Sequence, residues 1–447
     1  MFLKYKMNSF KKYKTLLAEF VKFRSISTDP KFAPEITKTV TWLKDIFGKS
    51  KFQIKILKGK TTNPIVFADY QFNKKAKTVL IYGHYDVQPA NKSDGWKGDP
   101  FTLIESEKKL IARGVIDNKG QILAHIFTVI QLIKEGKLKY NIKFLIEGNE
   151  ETGNDDLADV MAKNRELLKC DVVAVSDGEL TNNKPTIEVS LRGGFNCTLT
   201  YQTSKMNLHS GLWGGAVPSA TFELSRFLSK LYNTDNRISF AGFYKGVDQI
   251  TKAQVTNNKN LVKTGGDIAK LANVKRLLTE PGTDFYTQTG LLPTIQISGI
   301  KGGYTDTGYS NIVPFKAEAR INVRLAASQK AGEITKTFEV FVKKNTPSYI
   351  NYSLSFDGLH DPVKVNTNNI YIDMVEKILT KVYKTKVNRK NVGGAIPFVA
   401  DVKNILNVDT LLIPLVNEDC NMHGTNENFD IELAKKSLKF SRMFLSK

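Results

Sequence analysis

The chain has 447 residues, 41% of them hydrophobic and 24% charged, a balance that excludes a disordered polymer and a length that predicts two domains. Its formal charge of +21 is spread over scattered lysines, the densest being Lys74-Lys75 with Lys77, with no RNA-recognition signature, zinc finger or basic tail. A lysine-rich solvated surface is therefore favoured, and no nucleic-acid partner is expected.

The lysine-rich start, 1–24, lacks the apolar run and cleavage site of a signal peptide. Leu16, Leu17, Phe20 and Val21 instead predict an amphipathic helix. The β-branched run at 78–82 predicts a buried strand, 121–134 a helix, 141–146 a second strand, 155–168 a helix and 171–175 a third strand. Strands alternating with such helices imply a mostly parallel sheet covered on both faces. From Leu191 the texture changes. Strands are predicted at 195–201, 294–298, 317–325 and 350–356, with helices at 218–231 and from Ser328, as N-cap, to 344. That β-α-β-β-α-β order suggests a ferredoxin-like layer, while 233–292 is poorly patterned. A helix at 370–383 and a strand at 410–413 restore the first texture. The expected fold class is α/β, with an α+β domain over 190–358 inserted between 1–189 and 359–447. No stretch reaches the apolar length of a membrane span. Cys170, Cys197 and Cys420 are too few and too separated for a disulfide framework, so a cytoplasmic location is expected.

Five places put His, Asp or Glu just beyond a predicted strand or before a helix: His84-Tyr85-Asp86, Asp117 in RGVIDNKG, Glu150-Glu151, Ser176-Asp177-Gly178 and His423 in MHGTNE. In an open α/β sheet, groups at the carboxyl ends of strands converge on one crevice. Singly, each has a dull reading as a turn residue, an N-cap or a solvated charge. Together they carry two of only five histidines and five carboxylates, three of which, Asp117, Glu151 and Asp177, are counted with the histidines as ligands. That mixed set suits Zn²⁺ or Mn²⁺, and its size suits two cations if one carboxylate bridges.

The runs IYGHYDVQPA, ARGVIDNKG, EGNEETG, VSDGE, NLHSGLWGG and MHGTNE resemble, in order and spacing, the co-catalytic zinc peptidases. That family includes carnosine dipeptidase, nonspecific dipeptidases, acetylornithine deacetylase, succinyl-diaminopimelate desuccinylase and aminoacylase. HYDVQP, Trp96, Pro100-Phe101 and FAGFYKGV point to the dipeptidase branch. The resemblance implies a catalytic domain interrupted by a ferredoxin-like lid that also forms a homodimer. It implies two divalent cations, zinc first with manganese or cobalt as alternatives. His84 and Asp177 would hold one, Glu151 and His423 the other, and Asp117 would bridge. Asp86 would orient an imidazole. Glu150 would act as general base towards a bridging hydroxide that cleaves the amide of a dipeptide or small peptide. Glu150 and Glu151 would divide their jobs by pointing in different directions from an extended segment. His209 would steady the oxyanion, reaching the other subunit's site, and Arg324 would receive the substrate carboxylate. Gly393, Gly394 and Ile396 would approach the substrate backbone.

Ala395 departs from the hydroxyl residue common in dipeptidases, and Ile116 from smaller residues before the bridging aspartate. His125 and His360 match nothing and are read as structural. The alternative within enzymes is an N-acyl amino acid amidohydrolase using the same metals. A metal-free scaffold would require a lost ligand, and none is lost. Gly59-Lys60-Thr61 hints at a P-loop, but the glycine needed five residues earlier is Ile54.

Overall fold

A computed structural model describes residues 2–154, 156–264 and 267–447. The architecture is mixed α/β, and the chain divides into two units. The first comprises Met1–Val189, Val365–Lys390 and Pro397–Lys447; the second comprises Ser190–Lys364 and Asn391–Ile396.

In the first unit the strands lie in the order Gln53–Leu57, Ile65–Tyr70, Asn141–Glu147, Thr78–His84, Val172–Val175, Asp409–Leu412 and Thr186–Leu191. The middle four run parallel; their neighbours on both flanks are antiparallel. The sheet is thus mixed, with a parallel centre rather than a mostly parallel whole. Ile65–Tyr70 opens on an unbroken apolar run, as burial on both faces allows, whereas Thr186–Leu191 alternates polar and apolar residues although nearly all are buried. Register aligns His84 with Glu147 and Tyr82 with Val175, so the parallel strands end level with one another.

The helix Lys119–Lys134 packs on the strand Thr78–His84 and against the helices Phe2–Val21 and Ile431–Leu445. It is buried almost all round, from Ile122 through Leu132. Each fully buried Ile or Val stabilises the fold by about 1.5–3 kcal/mol, so this helix fixes its own N-terminus firmly. Asp155 lies outside the described residues. The helix expected at 155–168 is two, Leu157–Lys163 and Arg165–Leu168, parted where the Asn164 side chain donates to the Val160 carbonyl at 2.8 Å. Such local side-chain bonds compete with helix continuation.

The second unit has a four-stranded antiparallel sheet in the order Thr294–Gly302, Lys316–Leu325, Gly193–Gln202 and Asn351–His360. The helices Ala220–Leu228 and Ala331–Asn345 complete a β-α-β-β-α-β sequence. Phe195, Cys197, Leu199 and Tyr201 point to one face with Ile321 and Val323, forming a separate core. Ser328 does not cap the second helix. Its φ is +73°, and the helix starts at Ala331, whose amide donates to Asp361 Oδ1 at 2.9 Å. The poorly patterned 233–292 contains the helices Lys252–Thr264, Ile268–Leu271 and Phe285–Leu291. Among the described residues no helix is long and apolar enough to cross a membrane.

Candidate metal centre

The ends of the parallel strands present His84 directly, and Asp177 two residues past Val175. Asp117 arrives from the loop before Lys119–Lys134, where Asn118 is the N-cap residue. The turn Glu150–Thr152 follows the strand Asn141–Glu147, and His423 comes from the segment between Asp409–Leu412 and Asn428–Asp430. All seven residues His84, Asp86, Asp117, Glu150, Glu151, Asp177 and His423 belong to the first unit.

Two groups among the described residues could each hold a metal ion: His84, Asp117 and Asp177, and Asp117, Glu151 and His423. They share Asp117 through different oxygens. His84 Nε2 lies 3.0 Å from Asp117 Oδ1 and 3.6 Å from Asp177 Oδ2. His423 Nε2 lies 2.8 Å from Asp117 Oδ2 and 3.1 Å from Glu151 Oε2. His84 Nε2 is buried yet makes no hydrogen bond of good geometry. An orphaned nitrogen facing two carboxylates is costly for a protein group alone. Its lone pair and the oxygens around it form the nitrogen and oxygen donor set of a borderline divalent cation.

Electrostatics tell the same story. Burial opposes protonation of His84, but the carboxylates of Asp177, Asp117 and Asp86 outweigh it and hold its pKa well above the ordinary value. Hydrogen bonds to Asp117 and Glu151 lift His423 to about 10. Burial raises the Asp177 carboxyl, and the neighbouring Asp117 adds to it. Each imidazole is thus held in a field that attracts positive charge, which a divalent cation satisfies more fully than a proton.

Asp86 is fully buried and serves several partners. Its Oδ1 stands 3.3 Å from His84 Nδ1, and its oxygens accept from Ser27 Oγ at 2.7 Å, Glu150 N at 3.3 Å and Glu151 N at 3.1 Å. Glu150 and Glu151 lie on a 3-10 turn, not on an extended segment. The division between them comes instead from the two amides pinned to Asp86 and from Gln88 Nε2, which donates to Glu151 Oε2 at 2.8 Å. The Glu150 carboxyl makes no hydrogen bond or ion pair among the described residues. Burial raises its pKa well above the usual carboxylate range, with Asp177, Asp117 and Glu151 adding to the effect.

Several supporting residues carried no sequence signal of their own. Asn118 Nδ2 donates to Asp177 Oδ1 at 2.9 Å and to the Ser176 carbonyl at 2.7 Å. Glu147, lifted by burial to about 7, accepts from Tyr82 and from Asn154. Glu427, quoted above only as part of MHGTNE, accepts from Arg113 and from the amides of Gly114, Ile116 and Asp117.

The remaining expected site residues belong to the second unit. His209 is exposed in a short pairing with Ile312, its Nδ1 accepting from Gly211 N at 3.0 Å. Arg324 is partly buried on Lys316–Leu325 and forms no ion pair among the described residues; burial lowers its pKa. The glycine pair is held by Arg192, which sequence reasoning missed. Its Nε donates to the Gly393 carbonyl at 2.8 Å and its amide to the Gly394 carbonyl at 3.0 Å. A Cβ on Gly393 would come within 2.7 Å of the Thr289 carbonyl, so no side chain fits there. Ile396 is buried. His360 is held through Nδ1 by the Gly358 carbonyl, 2.8 Å away. Its Nε2 is buried without a partner, and the charge of Arg324 helps, after burial, to lower its pKa.

The sequence matches the model of peptidase family M20/M25/M40 over residues 80–447. A Beta-Ala-His dipeptidase of Mus musculus is 28% identical over 376 residues, 82% of this chain and 76% of the relative. A Cys-Gly metallodipeptidase of Schizosaccharomyces pombe is 27% identical over 455 aligned positions, 95% of this chain and 93% of the relative. Among solved structures, an M20 family metallo-carboxypeptidase from Sulfolobus solfataricus superposes with a TM-score of 0.88 at 28% identity, covering 97% of this chain and 98% of the other.

Proposed function

This chain is a metallopeptidase of family M20/M25/M40, and from that premise we propose that it hydrolyses dipeptides at a centre of two divalent cations. The observation that carries the proposal is the pair of ligand groups joined through the two oxygens of Asp117. Zinc is the first choice, with manganese or cobalt accepted by the same donors. His84 and Asp177 hold one cation, Glu151 and His423 the other, and Asp117 both. When bound, the cations polarise the scissile carbonyl and make water a nucleophile near neutral pH.

The protein's own residues do the rest. Glu150, whose carboxyl has no hydrogen bond or ion pair among the described residues, takes a proton from the attacking water and delivers it to the leaving amine. Asp86 keeps the His84 ring and the Glu150-Glu151 turn in fixed register. Arg324, with His360 beside it, receives the free carboxylate of the substrate. Gly393, Gly394 and Ile396 flank its backbone. His209 donates to the oxyanion, from the partner subunit of a homodimer whose second unit forms the lid and contact. The names of the relatives support a dipeptide over an N-acyl amino acid. A cytoplasmic location accords with the three free cysteines.

The test is a screen of dipeptides, tripeptides and N-acyl amino acids with Zn²⁺ and Mn²⁺, reading free amino acid before and after chelation. Dipeptide cleavage that chelation abolishes and metal restores is the expected result. Full activity after exhaustive chelation, or release from N-acyl amino acids alone, would overturn it.

A further inference from the structure

One buried ion pair outside the ligand set joins the loops that carry Asp117 and His423. The Glu427 carboxylate has no exposed surface. Its Oε2 accepts from Arg113 Nη1 at 2.7 Å and Gly114 N at 3.0 Å, its Oε1 from Ile116 N at 2.9 Å and Asp117 N at 3.2 Å. Arg113 in turn sends Nη2 to the His423 carbonyl at 3.1 Å and lies over the Trp96 ring, 5.3 Å from its centre. His423 needs such a hold, because its φ is +59° and its side chain is 54% exposed. A left-handed conformation at a residue with a Cβ persists only where its surroundings fix it. Stability alone is a weak reason for this pair, since desolvating two charges offsets most of their attraction. Geometry is a stronger one.

We propose that Glu427 and Arg113 are positioning residues that set the span from Asp117 to His423 and thereby tune the Glu151–His423 cation site more strongly than the other. The inference rests on the two-cation reading above. The other site shares Asp117, whose amide Glu427 also holds, but its remaining residues have anchors of their own: Asp86 beside the His84 ring, and Asn118 on Asp177. Neither bonds to Glu427.

A double-mutant cycle on the full chain tests this. In a His84→Ala background the surviving site is that of His423, and in His423→Ala it is that of His84. Zn²⁺ affinity is read by competition with a chromophoric chelator, without reference to turnover. Adding Glu427→Gln should weaken Zn²⁺ roughly 10–100-fold in the first background, the usual effect of removing a group that orients a ligand. In the second, where Glu427 reaches the site only through the shared Asp117, the loss should be distinctly smaller. Circular dichroism and the thermal midpoint report whether each variant folds. If the lone Arg113 charge unfolds the single variant, Arg113→Met with Glu427→Gln removes both charges and is read in its place. Equal weakening in both backgrounds, or none in either, would overturn the inference. A parent protein binding fewer than two cations would overturn the two-cation reading itself.

Discussion

Acid should destabilise this protein through one buried histidine that holds no cation in the proposed centre. His125 is buried midway along Lys119–Lys134, with Nδ1 3.1 Å from Ser441 Oγ and Nε2 3.0 Å from Ser176 Oγ. A neutral ring donates through one nitrogen and accepts through the other, and a hydroxyl can serve either role. Burial lowers its pKa from 6.5 to about 4. Between those values the unfolded chain binds the extra proton, so stability rises with pH. The contribution is complete above about pH 6.5 and is lost as pH falls towards 4. Relative to pH 7.5 it amounts to roughly 2–3 kcal/mol at pH 4.5. Other buried groups push the opposite way. Glu147 and Glu188, both raised by burial to about 7, bind protons in the folded state over the same range and favour folding as pH falls. The informative quantity is therefore the difference between the parent protein and His125→Gln. Urea unfolding of both metal-free proteins at pH 7.5 and 4.5 should show the parent's advantage shrinking by roughly 2–3 kcal/mol. An advantage unchanged between the two pH values would refute the assignment.

Two further outcomes bear on the site. Glu150→Gln should retain both cations by elemental analysis while kcat falls roughly 10²–10⁴-fold, whereas Glu151→Gln should weaken one cation; the reverse pattern would mean the two roles are exchanged. Arg324→Ala should raise KM for substrates with a free carboxylate far more than for their C-terminal amides, because only the former lose a charge-assisted pair; equal effects on both would remove Arg324 from substrate binding.

The sequence shows an element clearly wherever burial on one side imposes a period. The helix expected at 370–383 is found as Ile370–Tyr383, and the strand expected at 171–175 as Val172–Val175. Gln53–Leu57 and Thr186–Leu191 alternate polar and apolar residues, QIKIL and TIEVSL, a period-two signal that the sequence reading passed over. The helix start at Ala331 escaped for another reason: its cap, Asp361, lies thirty residues downstream. At the site, side chains announce themselves by type, since histidines are scarce here and their spacing is distinctive. What supports them does not. Glu427 is one acidic residue among 44 until the fold turns four donors towards it. Arg192 and Asn118 act through backbone carbonyls and a neighbour's carboxylate, which no local pattern encodes. His360 is the reverse case, a residue dismissed on pattern whose unpartnered nitrogen draws notice only once its burial is known.

The central sheet also sets a timetable for biosynthesis. Asp409–Leu412 lies between Val172–Val175 and Thr186–Leu191, yet it leaves the ribosome about 230 residues after the first of these. At ordinary elongation rates that is a wait of roughly 10–50 s. Throughout it, the nascent chain keeps the inner edge of Val172–Val175 without its partner strand, and unpaired edges invite association with other chains. The second unit is translated within this interval and can fold on its own core meanwhile. His423 follows Leu412 by 11 residues, so the stretch that closes the sheet also brings the last of the proposed metal ligands. A chain truncated before it would carry four of the five ligands on an open-edged sheet, prone to aggregate rather than to bind metal weakly.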